Sequence, residues 1–392
     1  MAVPLDTGEC KDSQVEIEAV FRMIETPYIP PDEHTVDRAH SVTTGPPPSM
    51  LHLLRGTARL FESPAIEHLL PRKRVRETGA SDASSAIGTV ESLGFEFLVR
   101  GGKYYRPFIM LAVYDALTGS GGTLPDGANV VDGFPDHVKR TAMAIEIFHK
   151  ASLIHDDIED DDPFRYGAPA LHTSHGIPAA INTGDYLLGL GYRLIAEQRH
   201  RLGASAVEIL AELSGAHTRL TEGQGMELYW KSQPATELER LSSSEVLKIY
   251  ALKTAPAFEA ALQIGVHLAA TTMSAHATGP DRQDGQDRAS VLSGLTASAG
   301  RGVPSAVSPD VSLYVSRLVK YSRHLGVGFQ IRNDLDDWDV EPGNKRLAGR
   351  DLVDRRPTLL LAIALERLES EERGRLVRAL GNADRIGEIR EL

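Results

Sequence analysis

The stretch "EIFHKASLIHDDIEDDDPFRYG", residues 146–167, decides how this chain is read. Its upstream part belongs to "AMAIEIFHKASLI", residues 142–154, which is almost wholly apolar at helical spacing and predicts a core helix. Asp156 and Asp160 stand four apart and share one face of that helix, with Asp157 flanking them. Carboxylates gathered at the end of a core helix repel one another, and burying them without a counterion is costly. A divalent cation resolves the conflict. Oxygen-only ligands favour Mg2+ or Ca2+ over zinc, and the spacing lacks the glycine and ligand pattern of an EF-hand loop. Mg2+ held by a few carboxylates completes its shell with water and phosphate oxygens, so the implied ligand is a phosphate or diphosphate. Taken alone, "DIEDDD" reads equally well as a solvated helix cap.

A second acidic helix shifts that balance. In "GVGFQIRNDLDDWD", residues 326–339, Gln330, Asp334 and Asp337 follow at i, i+4 and i+7 and form one stripe. Two such helices facing a cavity would share a metal–diphosphate cluster. Basic groups complete the set. "GGKYYRP", residues 101–107, places Lys103 and Arg106 three apart after two glycines that let backbone approach a ligand. His149 lies two turns before Asp156, Arg165 follows the first cluster, and Lys253 with Thr254 sits within "KIYALKTAPAF". Each of these alone reads most simply as structural; together they describe carboxylates for metal beside cations for an anion.

The wider sequence is compatible with such a site. At 392 residues and 42% hydrophobic content the chain can fill a large core, and a net charge of −12 argues against general affinity for nucleic acid or anionic membrane. The single Cys10 cannot form an internal disulfide, which fits a reducing, cytoplasmic setting. No apolar run is long enough for stable membrane insertion, and the N-terminus "MAVPLDTGECKDSQ" reads as no targeting signal. Residues 1–85 are rich in proline, serine and charge and read as a partly disordered extension with short helices near 15–25 and 50–62. From 86 to 392, helical periodicity marks segments 86–100, 104–118, 135–160, 177–198, 205–222, 243–271, 311–338 and 357–380. No stretch alternates as a strand, and the glycine-rich 271–309 reads as an inserted loop.

Over about residues 86–360 the chain resembles the trans-isoprenyl diphosphate synthases, the polyprenyl synthetase family. "GGKYYRP", "HKASLIHDDIED", "GAPALH", "GDYLL", "KTAPAF" and "GFQIRNDLDD" occur in the family's order. The resemblance implies an all-α fold, an isoprenoid synthase-type helical bundle around a central cavity, acting as a homodimer or in a heterodimer. It implies head-to-tail condensation of isopentenyl diphosphate with an allylic prenyl diphosphate. Asp156, Asp157, Asp160, Asp334 and Asp337 match the family's Mg2+ ligands. Lys103, Arg106 and His149 match its isopentenyl diphosphate site. Arg165, Lys253 and Gln330 match groups on the allylic diphosphate, with Thr254 beside the reacting carbons.

The pattern is broken in places. Asn333 stands where the family has an aspartate, which weakens a third Mg2+ site, and Tyr166 replaces a second arginine before Gly167. Loss of that cation is expected to cost the acceptor site about 1.5–3 kcal/mol if nothing replaces it. Arg350 and Arg356 stand where lysines are usual, and the family continues with more helices after "DRRPTLLL" than this chain has. These breaks keep two other readings in view, a class I terpene cyclase and a weakly active regulatory subunit. Small Ser152 and Ala151 just upstream of the first aspartates imply an open tail tunnel and a C20 or longer product, with Phe148 the next candidate floor.

Overall fold

The computed structural model describes residues 56–70, 86–119, 133–277, 309–338 and 349–385. Helices dominate it: α1 (Ser63–Leu69), α2 (Ala86–Val99), α3 (Tyr105–Thr118), α4 (Asp136–Glu159), α5 (Leu171–His175), α6 (Ile177–Ala196), α7 (Arg199–Leu202), α8 (Ser205–Ser232), α9 (Ser243–Ala277), α10 (Pro309–Asp336), α11 (Arg350–Val353), α12 (Leu359–Arg367) and α13 (Ser370–Ala379). The helices follow the periodicity of the sequence closely. Three features depart from it: the segment expected over 357–380 divides into α12 and α13, α8 runs past the expected 222 to Ser232, and β1 (Phe164–Arg165) pairs antiparallel with β2 (Ala168–Pro169). The two-residue turn between them, Tyr166–Gly167, has positive φ at both positions, the geometry a tight hairpin demands. A pair of two-residue strands leaves no alternation for a sequence to show.

The described residues divide into two compact units, a larger one within 56–233 and 249–333 and a smaller one within 234–248 and 334–385. One boundary follows the end of α8, and the other two fall inside α9 and α10. In the larger unit α4 is the central element. Val138, Ala142, Met143, Ala144, Ile145, Ile147, Ala151 and Ile154 are all buried along it, so apolar side chains occupy more than one face, as expected of a helix surrounded by others. Residues 56–70, part of the segment read as an N-terminal extension, add Leu60, Phe61, Ile66, Leu69 and Leu70 to the same core. The expected helix at 15–25 and most of the inserted loop lie outside the described residues; α9 reaches Ala277 and α10 starts at Pro309.

Two glycines set how closely the helices around Lys253 approach. A Cβ on Gly223 of α8 would lie 2.6 Å from the Lys253 backbone nitrogen, and one on Gly326 of α10 would lie 2.7 Å from that of Ala255. Only glycine allows both backbones to sit against α9 there. Pro256, within α9, has no N–H to offer the Leu252 carbonyl.

The smaller unit pairs the start of α9 with the C-terminal helices. Ser243 donates its backbone N–H to Glu366 of α12 at 2.7 Å. Thr358 caps α12, its hydroxyl accepting from the Leu361 N–H. No helix among the described residues is long and apolar enough to cross a membrane.

Candidate active site

The larger unit gathers most of the residues singled out in the sequence at the C-terminal end of α4. That end carries the negative pole of the helix dipole, an unfavourable place for carboxylates that only nearby cations can offset. The cations are present. Arg165, on the hairpin, donates from Nε to Asp157 Oδ1 at 2.7 Å and closes a second, shorter bond from Nη2. Lys231, at the end of α8, lies 3.4 Å from Asp160 Oδ1, and Lys253 on α9 lies 2.7 Å from Glu227 Oε2 on α8.

Burial and charge tune these groups. Burial pushes the Asp156 carboxyl up to about 7, with Lys253 opposing and Asp160 and Glu159 adding to the rise. Burial also raises Asp157, against the pull of Arg165. Lys253 is held above its ordinary value: burial lowers it, but Glu227, Asp160 and Asp156 together prevail. Burial, then Arg106, Lys150 and Arg165, hold the His149 imidazole well below its usual range, so it is neutral at neutral pH. Lys103 is exposed, its ammonium 5.6 Å from the centre of the Phe329 ring, and Arg106 lies 5.2 Å from that of Phe258. Thr254 is buried beside Lys253, and Gln330 is half-buried on α10.

Several buried polar atoms of the larger unit have no partner: Asp157 Oδ2, Glu227 Oε1, both amide atoms of Gln224 and Arg106 Nε. Buried polar atoms are rarely left so, and such a set marks where bound groups or water belong. The donors fit a hard cation. Asp156 and Asp160 supply carboxylate oxygens one helical turn apart, and the raised Asp156 would be stabilised in its charged form by a divalent ion. Among the described residues, however, no three acidic or histidine side chains are arranged as a metal site. Asp157 is drawn to Arg165 and Asp160 faces Lys231, so internal cations stand where a shared ion was expected.

The second acidic stripe divides at the unit boundary. Gln330 and Asn333 belong to the larger unit; Asn333 is exposed. Asp334 and Asp337 belong to the smaller one, and Asp337 lies in the turn just past α10 rather than on it. There Asp334 Oδ2 accepts from the Leu359 N–H at 3.3 Å, and Asp337 Oδ2 accepts from the Asp351 N–H at 3.2 Å. In the same unit Arg350 pairs with Asp354 at 3.2 Å and Arg356 with Asp351 at 3.7 Å.

Five functional-looking residues escape the motif reading. Gln224, Glu227 and Lys231 recur at i, i+3 and i+7 in "GQGMELYWK", a stripe like that of Gln330 and Asp334 that the sequence did contain. Lys150, fully buried on α4, donates to the carbonyls of Arg100 and Gly101. One turn before it, Glu146 is buried with both carboxylate oxygens unpartnered. Burial raises Glu146 and lowers Lys150, each moderated by the other.

The family model for polyprenyl synthetases matches residues 90–279, so that part of the chain is similar to that family. The chain is 29% identical over 290 residues to a short chain isoprenyl diphosphate synthase of Methanothermobacter thermautotrophicus, covering 73% of this chain and 70% of that protein. It is likewise 29% identical over 294 residues to a nonaprenyl diphosphate synthase of Mycobacterium tuberculosis, covering 74% and 68%. In fold it is similar to the crystal structure of geranylgeranyl pyrophosphate synthetase from Pyrococcus horikoshii, with a TM-score of 0.57 at 21% identity over 86% of this chain and 83% of that one. The protein is thus an all-α enzyme of the prenyltransferase class.

Proposed function

We propose that the protein is a Mg2+-dependent prenyltransferase that condenses isopentenyl diphosphate with an allylic prenyl diphosphate, head to tail, to a C20 or longer product. The observation that carries this reading is the meeting of Asp156, Asp157 and Asp160 with Arg165, Lys231 and Lys253 at the end of α4. Bound there, Mg2+ would neutralise the allylic diphosphate and help it leave as an anion. Asp156 and Asp160 would hold the ion, with Asp157 joining when Arg165 turns from it to phosphate; Asp334 and Asp337 are the proposed second ligand pair.

The chain's own groups do the rest. As the allylic C–O bond breaks, Lys253 and Arg165 stabilise the charge developing on the departing diphosphate. The isopentenyl double bond then attacks the allylic carbon, and the proton lost from the new chain leaves with the released diphosphate. Gln330 binds that diphosphate, and Thr254 borders the reacting carbons. Lys103, Arg106 and the neutral His149 hold the acceptor's diphosphate, His149 by hydrogen bonding rather than by charge. Apolar walls exclude water that would quench the cation. A homodimer in the cytoplasm is the proposed working form.

The test is incubation with Mg2+, labelled isopentenyl diphosphate and, separately, dimethylallyl, geranyl, farnesyl and geranylgeranyl diphosphates, followed by dephosphorylation and sizing of the alcohols. A ladder ending at C20 or beyond, lost in Asp156→Ala, is the expected result. No incorporation from any primer overturns the proposal, and hydrocarbon in the same extracts would then identify a cyclase.

A further inference from the structure

Three segments meet at Lys150. Its ammonium donates to the carbonyl of Gly101 at 2.5 Å and to that of Arg100, both in the segment that leads into Lys103 and Arg106. It also lies 4.0 Å from the centre of the Tyr166 ring, on the hairpin turn that follows Arg165. Tyr166 in turn covers Gly101: a Cβ on that glycine would sit 3.3 Å from the tyrosine ring. A fully buried lysine on α4 therefore clasps the glycine turn from below while the hairpin closes it from above. The place where the family resemblance leads one to expect an arginine holds instead a ring face over an ammonium, an arrangement that is itself attractive.

The two anion-binding segments are not equally dependent on this clasp. Arg165 is fixed independently by two bonds to Asp157. The glycine turn has positive φ at Gly101, Gly102 and Tyr104, and within it the Tyr104 hydroxyl donates to the Gly101 carbonyl at 3.1 Å while the Tyr104 ring stacks on Phe61. To these neutral contacts Lys150 adds charged hydrogen bonds to two consecutive carbonyls, the stronger kind, so the turn's conformation leans on it.

Resting on the proposed function, we infer that Lys150 is a positioning residue for the acceptor diphosphate: with the Tyr166 ring it fixes the Gly101–Gly102 turn, and so aligns Lys103 and Arg106, without touching substrate. Its removal should therefore act on one substrate and spare the other.

The experiment is steady-state kinetics on the full chain, varying isopentenyl diphosphate at saturating allylic primer and the reverse. In Lys150→Met the KM for isopentenyl diphosphate should rise about tenfold or more, in keeping with the loss of charged hydrogen bonds, while the primer's KM and kcat stay within about threefold. Lys150→Arg, which keeps donors at the same carbonyls, should recover most of the loss. Tyr166→Leu should raise the acceptor KM in the same direction, and Tyr166→Phe, which keeps the ring face, should not. Should Lys150→Met fail to melt cooperatively, the exposed Tyr166 pair decides alone, equal acceptor KM values for Leu and Phe counting against the inference. A flat acceptor KM in Lys150→Met, or equal rises for both substrates, overturns it while leaving the proposed function standing. A wild-type enzyme that consumes no isopentenyl diphosphate overturns both.

Discussion

The Lys253 ammonium lies 2.7 Å from Glu227 Oε2, both side chains largely buried between α9 and α8. A pair so placed confounds structure with catalysis, because removing either charge strands the other. Lys253→Met is therefore expected to cost about 3 kcal/mol of stability as well as turnover. Adding Glu227→Leu should restore the melting temperature and leave turnover at least about a hundredfold below wild type, the loss expected when a charge-stabilising group is missing. Recovery of activity in the double variant would show that Lys253 matters only as the partner of Glu227.

Asp156 titrates near neutrality. Its carboxyl is raised to about 7 in the folded, metal-free protein against an ordinary 3.8, chiefly by burial. A raised acid contributes stability that is fully present below its unfolded value and is lost as pH rises through its folded value. The melting temperature of wild type minus that of Asp156→Asn, in chelator, should thus fall between about pH 4 and about pH 7 and level off above. With Mg2+ and inorganic diphosphate the sign reverses, because the ion binds the charged carboxylate, and binding near pH 6 should release a proton measurable by calorimetry in buffers of different ionisation enthalpy.

Gly223 sits against the Lys253 backbone, where a Cβ would approach to 2.6 Å of the amide nitrogen. The contact is with backbone, so no side chain can swing away. Gly223→Ala is expected to cost about 1–3 kcal/mol by overpacking and to displace Lys253 from Glu227 and Asp160. Chemical denaturation checks the first effect and the rise in primer KM the second. Gly225→Ala on the same helix, which meets nothing within 4 Å, is the control.

How much of this was legible follows from what periodicity can carry. The long helices were readable because α4 and α8 bury apolar side chains at helical spacing. Asp156, Arg165 and Lys253 were readable because charged residues stand at motif spacing in or beside apolar helical segments. The hairpin was not, since two-residue strands have no period. Nor was the division of the second stripe, because Asp337 leaves the helix one residue past its end and turns to the Asp351 N–H. Lys150 was hidden for a different reason: a lysine in an apolar run reads as an interruption, and only the fold reveals the carbonyls that make its burial tolerable. Glu227 and Lys231 were within reach of the same stripe argument that found Gln330.

Product length offers the last test. Ala151 is fully buried and Ser152 turns its hydroxyl back to the His149 carbonyl at 2.9 Å, so neither blocks a growing tail. One turn deeper, Phe148 meets Tyr192 edge-on at 4.7 Å and His217 at 6.3 Å, while Gly191 leaves the gap that its ring fills. This aromatic group is the proposed floor. Phe148→Ala removes the ring and opens a cavity that an isoprene unit can enter, so its longest alcohol should exceed that of wild type by one or more units. Gly191→Ala should do the reverse, since a Cβ there would stand 2.8 Å from the Phe148 ring and drive it toward the tail. The two opposite shifts, read by sizing the dephosphorylated products, distinguish a floor from a general loss of packing, which would lower turnover in both without moving the ladder. Identical product lengths in all three enzymes would place the floor elsewhere.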